Sequence, residues 1–139
     1  MDLSELLEEY NTSNSKSTFK NFVYKRNLEI NLEVLSDLEL NEEDTYNFLS
    51  KLKEYKYIDE VDDLKYGSFI RWIPLTDPEN LPLHHSGMIC EVRFTEDGTI
   101  IICKNFMHRH YSIKMDECLI FQKFSNDEKM MIELIDKGI

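Results

Sequence analysis

Residues 66–123 constrain the fold most, because five apolar runs rich in β-branched and aromatic residues recur there between turn-forming residues. That pattern is typical of β-strands rather than helices. The same stretch holds the only tryptophan and every proline, histidine and cysteine of the chain. The five runs cover residues 68–73, 88–94, 99–104, 110–115 and 118–123. We therefore expect a five-stranded antiparallel β-sheet in this part of the chain.

A tight hairpin is expected between the second and third runs. Asp97 and Gly98 tolerate the positive φ angles that a two-residue primed turn requires, so they are the predicted turn residues. With that turn, Phe94 lies opposite Ile101. Strand alternation then predicts one buried face, formed by Cys90, Val92, Phe94, Ile101 and Cys103.

The connections between the runs indicate how the strands are arranged. Residues 74–87 form a long first loop, and only Met115, Asp116 and Glu117 separate the last two runs, which suits a single 3₁₀ turn. This layout is similar to that of an SH3-like barrel. The resemblance implies an α+β fold: a small five-stranded antiparallel SH3-like β-barrel with flanking N-terminal helices and a C-terminal helix.

The N-terminal residues carry helical patterns. Residues 2–10 predict a short amphipathic helix whose apolar positions are Leu3, Leu6, Leu7 and Tyr10. Residues 11–17 are rich in Asn and Ser and predict a flexible connection. A second helical segment follows, with Ser17 as a possible cap and an apolar stripe of Phe19, Phe22 and Val23. Residues 28–35 fit two interpretations, because they alternate like a strand but also form a helical stripe of Leu28, Leu32 and Leu35.

Two further helices have capping signals. Residues 41–55 predict a helix capped by Asn41, with acidic residues in its first turn and lysines near its end. Its expected inner stripe is Phe48, Leu49, Leu52 and Tyr55. Residues 126–137 predict a second such helix, capped by Asn126 and stopped by Gly138. Its expected stripe is Met130, Met131, Leu134 and Ile135.

These patterns predict three regions. Residues 1–65 form a mostly helical acidic region packed on the barrel, residues 66–123 form the barrel itself, and residues 124–139 form the C-terminal helix.

Charge and cysteine content favour a soluble, unsecreted protein. The net charge is −11, which disfavours a stand-alone nucleic-acid binder, although residues 66–123 carry seven acidic and six basic side chains and are nearly neutral. The three cysteines lie within apolar runs, so we expect buried, reduced thiols and an intracellular location, either cytoplasmic or nuclear. No apolar run approaches the length of a membrane span, and no membrane partner is expected.

No catalytic or metal-binding motif is present, and neither a cofactor nor an enzymatic activity is expected. Zinc modules present closely spaced ligand pairs on turns, whereas Cys90 and Cys103 lie in the middle of predicted strands. A nucleophilic cysteine needs an accessible thiol of lowered pKa beside a base. A hydrolase that uses the cysteines and histidines is therefore only a distant third hypothesis.

The leading hypothesis is a non-enzymatic protein-interaction module. The proline-bearing loop at residues 74–87 is long for a compact domain, and such loops are often functional. We expect a protein partner to bind at Trp72, Leu81, His84, His85, Phe106, His108, Arg109 and His110. The alternative is a nucleic-acid-associated factor that stacks single-strand bases on aromatic rings beside Arg71 and Arg109.

Two segments carry a second resemblance. Residues 64–73 and 118–123 resemble parts of uncharacterised small proteins of large DNA viruses. This resemblance implies no activity, since those proteins have none to transfer.

Overall fold

The computed structural model describes residues 4–6, 8 and 18–138, and it divides the chain into two compact units. A helical unit comprises Met1–Lys56 and Phe124–Ile139, and a strand unit comprises Tyr57–Lys123. Residues 4–6 and 8 are helical, as predicted, whereas the remainder of the 2–10 segment, the predicted connection at 11–17 and the cap at Ser17 lie outside the described residues.

Three helices are complete in the described part of the helical unit. They are α1 (Thr18–Ser36), α2 (Glu42–Lys51) and α3 (Asn126–Asp136). Residues 28–35 thus belong to a helix, and Phe22, expected in the inner stripe of that helix, is exposed.

The buried face of α1 explains why residues 28–35 are helical. Asn27, Leu28, Asn31 and Leu35 are all buried, which is helical spacing rather than strand alternation. The side-chain amides of Asn27 and Asn31 donate hydrogen bonds of 2.8 and 3.1 Å to the carbonyl of Tyr55. A strand would send alternate residues to opposite faces and would lose these bonds.

Helix α2 begins as predicted but ends earlier. The side chain of Asn41 accepts a 2.7 Å hydrogen bond from the backbone N–H of Asp44, which confirms the cap. The helix stops at Lys51, and Tyr55 already belongs to strand β1. The prediction of a helix up to residue 55 was therefore wrong at its C-terminal end.

Two details of α3 differ from the prediction. Ser125 is the N-cap rather than Asn126, and it forms a reciprocal capping box with Glu128. The expected inner stripe was also wrong, because Met130 and Met131 are 60% and 55% exposed and Ile132 is the buried residue. In this orientation α3 forms three ion pairs: Glu133 with Lys20, Glu128 with Lys56, and Lys129 with Glu54.

The strands form an open antiparallel sheet of six strands rather than the predicted five. In chain order they are β1 (Tyr55–Ile58), β2 (Phe69–Pro74), β3 (His84–Thr95), β4 (Gly98–Lys104), β5 (His110–Lys114) and β6 (Cys118–Lys123). Their order in the sheet is β1-β6-β2-β3-β4-β5, so β1 and β5 are the edges. The unpredicted strand β1 is short and follows α2 without a Gly or Pro to mark its start. Two 3₁₀ turns, Val61–Asp63 and the predicted Met115–Glu117, connect strands.

The β3–β4 hairpin has a different register from the predicted one. Thr95 pairs with Gly98, so the turn residues are Glu96 and Asp97, and Gly98 begins β4 with φ of +113°. The ladder also shifts between Ile89 and Glu91, where Cys90 is the extra residue of a β-bulge.

This bulge changes which residues of β3 are buried. Ile89 and Val92 pack in the core, although strict alternation would place residues three apart on opposite faces. Cys90, predicted on the buried face, is exposed instead. Phe94, also predicted there, is exposed too, but it lies beyond the bulge and one pair from the hairpin turn.

The core of the strand unit collects side chains from all six strands. Its buried members are Ile58, Ile70, Ile89, Ile101, Cys103, Ile113 and Ile120. Trp72 and Tyr111 are half-buried and pack against this cluster.

Candidate binding surface at the loop end of the sheet

Antiparallel pairing brings four strand ends to one end of the sheet. Trp72 near the end of β2 pairs with His84 at the start of β3, and Lys104 at the end of β4 pairs with His110 at the start of β5. We call this region the loop end; it comprises these strand ends with the loops 75–83 and 105–109 that join them. All eight sequence-predicted binding residues lie at the loop end or beside it. His84 and His85 are part of β3 rather than of the loop that precedes it.

Trp72 lies between two other rings. Its ring centroid is 5.2 Å from that of His84 and 5.4 Å from that of Tyr111, with an interplanar angle of 31° in both pairs. Gly87 makes room for this stack, because a Cβ atom there would lie 2.3 Å from the Tyr111 hydroxyl and 3.2 Å from the Trp72 ring. Trp72 is therefore half-buried at the loop end and packs beside both the His84 and the Tyr111 ring.

Tyr111, one of the stacked rings, pairs across the strands with Cys103 of β4. The Tyr111 hydroxyl is buried and has no hydrogen-bond partner of normal geometry among the residues described. Burial raises the pKa of Tyr111 above its usual value and that of the neighbouring Cys103 thiol to about 12. A raised thiol pKa is the opposite of what a nucleophilic cysteine requires. Burial likewise raises the pKa of Cys118 to about 11.

The 105–109 hairpin loop is organised by Asn105. Its side-chain oxygen accepts hydrogen bonds from the backbone N–H groups of Met107 (2.9 Å) and Arg109 (3.1 Å). Backbone bonds add to these: Asn105 donates to the Arg109 carbonyl and His108 donates to the Asn105 carbonyl. His108 takes the left-handed conformation that closes the loop, with φ of +62°.

The tip of this loop is apolar and exposed. Phe106 is 79% exposed and Met107 is 62% exposed, although the backbone that carries them is well hydrogen-bonded. Phe106 was among the predicted binding residues, but Met107 was missed. The signal for Met107 is its position between two strands in the segment Asn-Phe-Met-His-Arg, where an apolar side chain cannot turn into the core.

The 75–83 loop has one hydrogen bond to another segment and one turn of its own. The backbone N–H of Leu75 donates a 2.8 Å hydrogen bond to the carbonyl of Glu117, and Asp77 accepts bonds from Glu79 and Asn80 in a local turn. Leu81 is half-buried. The strand pairing brings this loop and the 105–109 loop to the same end of the sheet, but it does not place Leu81 against Phe106.

One segment of the loop end, residues 104–110, differs in charge from the chain as a whole, whereas the 75–83 loop carries Asp77 and Glu79. The segment 104–110 contains Lys104, Arg109, His108 and His110 and no carboxylate, within a chain of net charge −11. His84 and His85 lie at the same end, so all four histidines are gathered there. Arg109 and the four imidazoles are exposed.

Within 4–6, 8 and 18–138, no group of three or more His, Cys, Asp or Glu side chains could hold a metal ion. No helix in the same part of the chain has the length and apolar character needed to cross a bilayer.

Comparison with known proteins gives no relative for this chain. No protein-family model matches it, and neither the curated proteins nor the solved structures include a significant match.

Proposed function

We propose that this protein is a non-enzymatic interaction module that binds a protein partner through the loop end of its sheet. The observation that carries the proposal is the ordered hairpin tip, where Phe106 and Met107 are 79% and 62% exposed. Covering a large, solvent-exposed apolar side chain with a partner surface lowers the free energy of the complex. Because the loop is already ordered by Asn105, binding would lose little conformational entropy.

We further propose that the strand unit is a curled, SH3-like barrel formed by β2 to β6. Support comes from the connection between β5 and β6, which lie four strand spacings apart in the sheet. Four spacings of about 4.8 Å amount to roughly 19 Å in a flat sheet. Lys114 and Cys118 are joined only by the turn Met115–Glu117, which reaches at most about 14 Å when fully extended. Curling of the sheet resolves this difference, and it would also explain how β2 and β5 contribute Trp72 and Tyr111 to one stack.

The binding proposal is tested by capturing partners on the immobilised 139-residue chain, from extracts of the cells in which it occurs. Phe106→Asp combined with Met107→Asp is expected to abolish capture of the specific partner, because a charge replaces the apolar contact. The matched control is Phe94→Asp, which alters a side chain that is also highly exposed, at 73%, but lies near the other end of β3. Far-ultraviolet circular dichroism of all variants checks that the fold is kept.

Two outcomes of this experiment would contradict the proposed binding surface. If the wild type and the Phe106/Met107 variant retain the same proteins, or if Phe94→Asp removes them equally, the loop end is not the binding surface. Partners that disappear after nuclease treatment would instead favour the nucleic-acid alternative.

A further inference from the structure

Two basic residues flank the exposed apolar tip of the hairpin loop along the chain, Lys104 before it and Arg109 after it. Arg109 belongs to the same loop as Phe106 and Met107. Lys104 and His110 form the strand pair from which this loop extends. Along the chain, the carboxylates nearest to segment 104–110 are Glu96 and Asp97 on one side and Asp116 on the other, so the segment itself carries none. The loop end also contains Asp77 and Glu79, which belong to the 75–83 loop.

From this arrangement we propose that the partner presents an acidic protein surface, with Asp and Glu side chains around an apolar recess that receives Phe106 and Met107. This inference rests on the proposed function and names the chemistry of the partner. Interfaces commonly have an apolar centre and a polar rim, and complementary rim charges determine which partner is accepted. Arg109 and Lys104 supply that rim, and carboxylates are their natural counterparts.

Other anionic partners fit the surface less well. Nucleic acids and anionic bilayers present dense, extended negative charge, which the net charge of −11 repels as a whole. Their binding also depends on many cations, whereas segment 104–110 offers only Lys104 and Arg109 as permanent ones. A compact acidic protein patch requires only local complementarity.

The first test uses defined probes and the isotope-labelled 139-residue chain. The positive probe is a synthetic peptide in which Glu and Asp alternate with Leu and Phe. The control peptide carries Gln and Asn in place of Glu and Asp. We expect the acidic peptide to shift the backbone amide resonances of residues 104–110 in a saturable manner, and the amide peptide to shift them about tenfold less at equal concentration.

Three results would overturn the inference of an acidic partner. No shift at residues 104–110, equal shifts with both peptides, or stronger shifts with oligothymidylate or phosphatidylserine vesicles would each exclude an acidic protein surface as the preferred partner.

A second test separates this inference from the proposed function. Lys104→Glu with Arg109→Glu reverses the rim charge and should reduce capture of any Phe106-dependent partner about tenfold or more. Lys114→Glu makes a charge reversal at the other end of β5 and should leave capture unchanged. If the partner depends on Phe106 but ignores the rim reversal, the acidic-partner inference is wrong and the proposed function stands. If no partner depends on Phe106, the proposed function itself fails.

Discussion

The hydroxyl of Tyr111 lies directly over the backbone of Gly87, where a Cβ atom would approach it to 2.3 Å. The contact joins β5 to β3 and holds Tyr111 beside Trp72. Glycine is required at this position because of space, not because of its backbone freedom.

Gly87→Ala is therefore expected to destabilise the protein by about 1–3 kcal/mol, the usual range for an overpacked core. The new methyl group would displace the Tyr111 ring or bend the strand. Urea unfolding measures the loss. Tyr111→Phe removes the oxygen atom that would clash. In the Tyr111→Phe background, Gly87→Ala should therefore lower the free energy of unfolding by less than it does in the wild type. If Gly87→Ala lowers the free energy of unfolding equally in the wild type and in the Tyr111→Phe background, the Tyr111 hydroxyl is not the reason that glycine is required at position 87.

Gly98→Ala should destabilise by more than about 1 kcal/mol, because φ of +113° at this position is strained for any residue with a Cβ atom. The Cβ atom would also approach the Asp116 carboxylate to 2.4 Å, but that side chain is flexible. Asp116→Ala separates the two causes in a urea experiment. Rescue of Gly98→Ala by Asp116→Ala would identify the clash, rather than the backbone, as the cause.

Ser125→Ala should lower the free energy of unfolding by about 1 kcal/mol, since it removes half of the capping box at the start of α3. Asn126→Ala, one residue later, should change it by less than about 0.5 kcal/mol because Asn126 is exposed and is not the cap. Thermal unfolding of both variants decides between the two positions. A larger effect at Asn126 would restore the cap predicted from the sequence.

The three cysteines should differ in reactivity. Cys90 is exposed and should be alkylated rapidly by iodoacetamide in the native protein, because the reagent can reach an exposed residue without unfolding. Cys103 is buried, with its thiol pKa raised to about 12, so at neutral pH it is protonated and should react only after unfolding. Cys118 should be intermediate in accessibility and slow, with its pKa raised to about 11. Peptide mass spectrometry after timed alkylation ranks them. Modification of Cys103 at the rate of Cys90 would contradict the core assignment.

The sequence by itself determined the features that depend on a few neighbouring residues. β-branched runs separated by turn residues located five of the six strands, and a local hydrogen bond placed the cap of α2 at Asn41. A one-turn break before the last strand was also visible, because three residues are too few for any other helix. At the candidate site, the strand pattern was enough to anticipate that Trp72, His84 and the segment around Phe106 belong to one region.

Only the tertiary structure decided which face of each element is buried. Residues 28–35 have both periodicities, and the helix is selected because the amides of Asn27 and Asn31 reach the Tyr55 carbonyl. The rotation of α3 buries Ile132, and the ion pair of Lys20 with Glu133 forms in that orientation. In β3, one bulged residue, Cys90, reverses the alternation on which the predicted face depended. Each of these outcomes depends on partners distant in sequence or on the register of a ladder, and local periodicity contains neither.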